Sequence, residues 1–241
     1  MLSSLSPDKT PSGKTPPGKI VLVIAAHPDD EILGVGATVA KHVARGDIVH
    51  SLILGEGIAS REMEKAEKPR QLRELEESAR RANAVLGVTE VYFEQLPDNA
   101  FDTLPLLEII KKVEKHIQRI KPEIIYTHWP HDLNVDHRLT FQAVITACRP
   151  FAFGVQSLYA FETPSASECQ RDGHVFAPTI YENVDDFLQK KIEALRYYAG
   201  EMRPFPHPRS EEGLIALAKV RGFESHTPAA EAFQLIREIR K

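Results

Sequence analysis

Cysteine is nearly absent: Cys148 and Cys169 are the only two in 241 residues, and no CxxC pair occurs. A disulfide scaffold and a thiolate zinc site are both excluded. No apolar run approaches the ~20 residues needed to cross a membrane. Lys19 to Ala26 is far too short, and the residues before it lack the apolar segment of a signal peptide. An excess of one charge is missing too. Thirty Lys and Arg against 34 Asp and Glu leave a net charge of −4, mixed along the chain. No basic patch therefore marks a binder of nucleic acid or of an anionic membrane. The expectation is a cytoplasmic protein acting on a small molecule, with no nucleic-acid partner and no membrane span. Whether it forms a homo-oligomer is left open.

Met1 to Gly18 carries Pro7, Pro11, Pro16 and Pro17 among Ser, Thr and Lys. It cannot bury enough apolar surface to offset its ordering entropy. Residues 1–18 thus read as a flexible tail ahead of one domain, 19–241. Ile20 to Ala26 is a continuous aliphatic run, the pattern of a strand covered on both faces. A helix over Ile32 to Ala44 follows, then a strand over Ile48 to Leu54 and a helix over Arg70 to Leu86 stopped by Gly87. A short strand at Val91 to Phe93, a helix at Leu104 to Ile120, a strand at Glu123 to Thr127 and a helix at Asp136 to Cys148 continue the alternation. Such alternation predicts an α/β, Rossmann-like domain with a mostly parallel sheet and helices on both faces. Beyond Pro150 the pattern predicts a strand at Ser157 to Phe161 and helices at Val184 to Tyr198, Glu211 to Arg221 and Ala229 to Ile239. The Pro-rich Arg203 to Arg209 stretch reads as a loop that could lie near the site.

Ligands of open α/β sheets bind beyond the carboxyl ends of the strands. The first strand delivers Ala26-His27-Pro28-Asp29-Asp30-Glu31 to that edge. Three acids beside an imidazole are costly without a cation among them. Glu31 alone reads more simply as a first-turn acid that complements a helix dipole. A second cluster, His128-Trp129-Pro130-His131-Asp132-Leu133-Asn134-Val135-Asp136-His137-Arg138, follows another strand. Two imidazoles and a carboxylate with an open position form the catalytic zinc pattern. His137 reads as part of it, whereas His128 reads as a solvated surface histidine and His131 is balanced between the two.

These residues resemble the PIG-L (LmbE-like) zinc de-N-acetylases. Ala26 to Glu31 reads as that family's AHPDDE signature, and Asn134 to Arg138 resembles its later HxDHR element. The resemblance runs from about Lys19 to Phe233, including Arg73 to Glu76 (RExE) and Ala230 to Phe233 (AEAF). It implies that His27, Asp30 and His137 bind Zn2+, other divalent metals being open, and that Asp29 is the general base. The implied substrate is a small N-acetylated amino sugar or sugar conjugate. Arg73 resembles the family's sugar-binding Arg, and Asp98 stands where the family places an acid on sugar hydroxyls. Arg138 is a further substrate-binding candidate. Asn99, Phe101 and Asp102 could line the same mouth, and Trp129 suits either sugar stacking or the core. One departure is Asn134, where many members carry His; an amide donates a hydrogen bond but shuttles no proton.

The expected reaction has metal-activated water attacking the acetyl carbon while Asp29 takes a proton and passes it to the leaving amine. Asn134 is the expected oxyanion donor, His131 an alternative proton donor, and Asp136 the residue that orients Asn134 or a ligand imidazole. Rival readings are a Mg2+-dependent phosphohydrolase or phosphotransfer protein and a non-catalytic carbohydrate-binding relative. Gly34-Val35-Gly36 does not make a nucleotide site, because Val39 occupies the third glycine's place.

Overall fold

Strand β1 (Ile20–Ala25) is aliphatic throughout because both of its faces are covered. Val21 and Val23 pack into one layer with α1 (Asp30–Ala44), α2 (Lys68–Leu86) and α5 (Asp185–Leu195). Leu22 and Ile24 pack into the opposite layer with α3 (Leu106–Ile120) and α4 (Val135–Ala147). The structure, a computed structural model, describes residues 18–58, 67–169 and 173–240. Most of the N-terminal segment read above as a tail lies outside the described residues.

The sheet order is β3-β2-β1-β4-β5-β7-β6, with β2 Ile48–Gly55, β3 Glu90–Leu96, β4 Ile124–His128, β5 Ser157–Phe161, β6 Ile180–Asn183 and β7 Ala230–Glu238. Strands β1 to β5 are parallel, while β7 runs antiparallel to β5 and to β6. The chain winds outward from β1 through β2 and β3, then restarts on the other side at β4. That reversal opens the crevice between the carboxyl ends of β1 and β4, where ligands of such sheets bind. A last helix, α6 (Glu211–Ser225), precedes β7. Among the described residues, no helix is long and apolar enough to cross a membrane.

One predicted element is corrected. The stretch Ala229 to Ile239 forms the strand β7 (Ala230–Glu238), not a helix, and β6 was not predicted at all. Ala230, Phe233 and Ile236 fit helical spacing, but β7 alternates. Glu231 and Phe233 face α1 and its core layer, while Gln234 and Ile236 face the other side. Pairing on both sides, with β5 and β6, outweighs the local helical preference. Two glycines have assignable roles. Gly87 ends α2 at φ 86°, as its position predicted. At Gly34 a Cβ would lie 2.2 Å from the Phe161 ring, so this glycine lets α1 approach β5.

Candidate metal centre

His27 to Glu31 turn sharply from β1 into α1. Asp29 has φ 114°, a region L-residues rarely adopt and one that costs about 1–3 kcal/mol unless its surroundings impose it. Its carbonyl accepts the N–H groups of Ile32 and Leu33 and so opens the helix. The two neighbouring aspartates then serve different partners. Asp30 Oδ2 lies 3.2 Å from His137 Nε2, 3.3 Å from His27 Nδ1 and 3.5 Å from His128 Nε2. Asp29 Oδ2 instead accepts from Arg209 Nη1 at 2.7 Å.

His27, Asp30 and His137 each bring a possible ligand atom within 4.8 Å of the others, so this group could hold a metal ion. His27, Asp98 and Asp136 form a second such group that shares the imidazole. Both imidazoles of the first group are backed by buried carboxylates. Asp136 Oδ2 is 2.9 Å from His27 Nε2, and its Oδ1 accepts the Phe101 N–H. Asp132 Oδ1 is 3.1 Å from His137 Nδ1, an ion-pair distance without hydrogen-bond alignment, and Asp132 Oδ2 accepts from Ser167 Oγ. Each ring thus turns one nitrogen to Asp30 and the other to an orienting acid, an arrangement that strengthens imidazole as a ligand.

The electrostatics call for positive charge at the centre. Burial alone would lower His137, but Asp30 and Asp132 push it up to about 9. Burial alone would raise Asp30, and His137 holds it well below the carboxylate range. Protons on the rings or a bound cation can meet this demand. Asp30 Oδ1 is buried without a hydrogen-bond partner, and a cation would satisfy it. The His2Asp donor set suits zinc better than magnesium.

His128 is not a ligand, nor is it the solvated histidine the sequence suggested. It is fully buried on β4. Its Nε2 accepts the Ala26 N–H at 2.9 Å, so Nδ1 carries the proton toward Thr163 Oγ1 at 3.1 Å. Burial, with His137 adding to it, lowers its pKa to about 3, and the ring is neutral. It ties β4 to the end of β1.

The other candidates disperse. Asn134 caps α4: its Oδ1 accepts the Asp136 N–H at 2.8 Å and its Nδ2 donates to Asn99 Oδ1 at 3.2 Å. Asp98 Oδ1 is 3.1 Å from His27 Nε2, placing it in the cluster. Arg138 donates to the carbonyls of Asp132 and Leu133 and pins the loop before α4. Arg73 lies on the exposed side of α2, outside the cluster. Trp129 is buried and donates to Gln234 Oε1, a core role, while Phe101 is buried against the His27 ring. Asp102 is exposed, and His131 stacks on His174 with centroids 3.6 Å apart. Sequence reasoning gave no role to Asp132, Ser167, Thr163 or Arg209. Only the Pro-rich loop hinted at the last.

A family model described as PIG-L, GlcNAc-PI de-N-acetylase, matches residues 22–148, more than half of the chain. The chain belongs to the PIG-L family. Membership makes it a metal-dependent hydrolase of the deacetylase superfamily, with a His/Asp cluster suited to a divalent cation. Among PIG-L relatives, it is 28% identical over 192 residues to diacetylchitobiose deacetylase from Thermococcus kodakarensis, covering 76% of this chain and 70% of that one. It is 27% identical over 184 residues to the uncharacterized deacetylase YaiS of Escherichia coli, covering 74% of this chain and 89% of that one. In fold it is similar to N,N'-diacetylchitobiose deacetylase from Pyrococcus horikoshii, with TM-score 0.74 and 20% identity over 90% of this chain and 84% of the other. It is equally similar to GalB of Pseudomonas putida, a 4-carboxy-2-hydroxymuconate hydratase, with TM-score 0.77 and 20% identity over 92% and 98% of the two chains. The fold therefore carries more than one chemistry, and the site must decide between them.

Proposed function

We propose that this PIG-L protein hydrolyses the acetamide of an N-acetylated amino sugar or sugar conjugate, with Asp29 as general base. The observation that carries the reading is the separation of duties between adjacent acids. Asp30 is committed to two imidazoles, while Asp29 is committed to an arginine and stays off that group. His27, Asp30 and His137 would hold zinc, with Asp136 and Asp132 keeping the two rings oriented. Zinc in such a three-ligand site supplies a Lewis acid and a bound water with a pKa near ~7.

Side chains of this protein perform the proton transfers. Asp29 takes the proton released as the water oxygen bonds to the acetyl carbon. It returns a proton to nitrogen as the C–N bond breaks, so acetate and a free amine leave. Burial raises the Asp29 carboxyl, and Arg209 opposes that rise and favours the ionised base. Asn134 has one amide hydrogen left after its bond to Asn99, and this is the donor proposed for the oxyanion. Of the proposed sugar contacts Arg73, Asp98 and Arg138, Asp98 is the one within the cluster. The sugar assignment draws support from the archaeal relative whose name specifies diacetylchitobiose.

Acetate release from a panel of N-acetylated mono- and disaccharides and glycoconjugates tests the proposal on zinc-loaded protein. Turnover of at least one substrate, abolished by Asp29→Ala, is expected. No acetate from any of them, or hydration of an unsaturated carboxylate instead, would overturn it.

A further inference from the structure

We infer that Glu31 is a positioning residue: it holds the Asp29 backbone in its working conformation and is itself held by Tyr198 and Asn83. The catalytic part of this inference rests on Asp29 being the general base proposed above. Glu31 is 1% exposed, unlike a first-turn acid that merely faces solvent to complement a helix dipole. Its Oε2 accepts the Asp29 N–H at 3.0 Å. Its Oε1 accepts the Tyr198 hydroxyl at 2.6 Å and the Asn83 amide at 2.8 Å.

The network reaches back into the scaffold. Asn83 on α2 also donates to the Ala79 carbonyl and accepts from Ser51 Oγ on β2 at 2.7 Å. Tyr198, in the single helical turn after α5, is 1% exposed. Two elements distant in sequence thus converge on one carboxylate, with β2 behind Asn83, and that carboxylate accepts the Asp29 N–H.

That N–H belongs to the residue with φ 114°. A non-glycine residue in such a backbone conformation persists only where its surroundings over-determine it. At Asp29 the nitrogen is fixed by Glu31, the carbonyl by the first turn of α1, and the carboxylate by Arg209. Relaxation of φ would swing the carboxylate away from Arg209. Misplacement of a catalytic group by about 1 Å can cost on the order of 10²-fold in rate. The third acid of the turn therefore aims the base and stands outside the candidate ligand groups.

Two measurements test this. In the first, Tyr198→Phe removes one hydroxyl donor from Glu31. We expect kcat to fall about tenfold, with KM and bound zinc within about twofold. Glu31→Gln keeps an oxygen for the Asp29 N–H and should retain more of kcat than Glu31→Leu. The second needs no substrate. Asp29→Gly should melt above Asp29→Ala, because glycine tolerates positive φ. The gap should shrink when Tyr198→Phe is added and the clamp loosens. A gap unchanged by Tyr198→Phe, or a kcat equal to the parent's, would overturn the inference. A merely structural Tyr198 would lower both melting temperatures and leave their difference alone. If Tyr198→Phe does not fold, Asn83→Ala takes its place in both measurements. If the parent releases no acetate, the proposed reaction fails while the melting gap still decides the role of Glu31.

Discussion

Arg209 donates from Nη1 to Asp29 Oδ2 at 2.7 Å, joining residues 180 positions apart. Its Nε is held in turn by Ser165 Oγ at 2.8 Å. A guanidinium beside a buried carboxylate favours the ionised form, so it lowers the pKa that burial has raised. Arg209→Met should therefore raise the Asp29 pKa and move the acid limb of kcat/KM to higher pH. The loss of activity should be largest on the acid side and shrink as pH rises. A pH–rate profile that keeps its acid limb would show that Arg209 does not act on the base.

Asn134 is a helix cap before it is anything else. Removing its Oδ1 leaves the Asp136 N–H without its partner, and Asn134→Ala should cost about 1 kcal/mol of stability. Asn134→Asp keeps the acceptor at the cap and exchanges the amide hydrogens for a carboxylate charge that a helix N-terminus favours. It should match the parent in urea unfolding while kcat falls by about 10²-fold, the effect of losing an oxyanion donor. An Asp variant with full activity would remove Asn134 from the chemistry and leave it as a cap.

Lys191 and Glu231 form a buried ion pair at 2.6 Å inside the α1 backbone ladder. Glu231 accepts the N–H groups of Ala37 and Thr38, and Lys191 donates to the Leu33 carbonyl at 2.7 Å. Breaking such a pair from one side strands the other charge. Lys191→Met should destabilise by about 3–5 kcal/mol, measured by denaturant midpoint at constant m-value. A loss under about 1 kcal/mol would place the pair among the weak surface type.

Glu94 supplies a pH test of stability away from the site. Burial alone would raise its carboxyl, but Lys112, His116 and Lys115 hold it at about 2. A depressed carboxylate contributes stability that is complete above the unfolded value of 4.5 and is lost as pH falls toward about 2. Two of the partners are solvent-accessible lysines, so the contribution is about 1–2 kcal/mol after screening. Glu94→Gln should lose that amount at neutral pH and show a flatter decline between those two values. An identical acid decline in both proteins would contradict it.

Much of this site was legible because it is local in sequence. His27 to Glu31 follow the buried aliphatic β1 and Trp129 to His137 follow the buried β4, and parallel alternation places both at one sheet edge. Arg209 was not legible, since a lone Arg in a Pro-rich loop has no periodicity to reveal its partner. Asp132 lies inside the second cluster, but its role is not legible there, because ring orientation depends on tertiary geometry. Glu31 misled for a related reason: its position suits a helix dipole, and only packing shows that Tyr198 and Asn83 enclose it. His128 is separable from His27 and His137 only by direction, its Nε2 being committed to the Ala26 N–H. The strand β7 was missed because its apolar residues satisfy both a helical and an alternating period.

The central claim is that the two neighbouring aspartates do different things, and zinc content measured on purified variants tests it most directly. The parent and Asp29→Ala should each hold about one zinc per chain, the variant without turnover, while Asp30→Ala holds almost none. Loss of zinc from Asp29→Ala, or its retention by Asp30→Ala, would contradict the account.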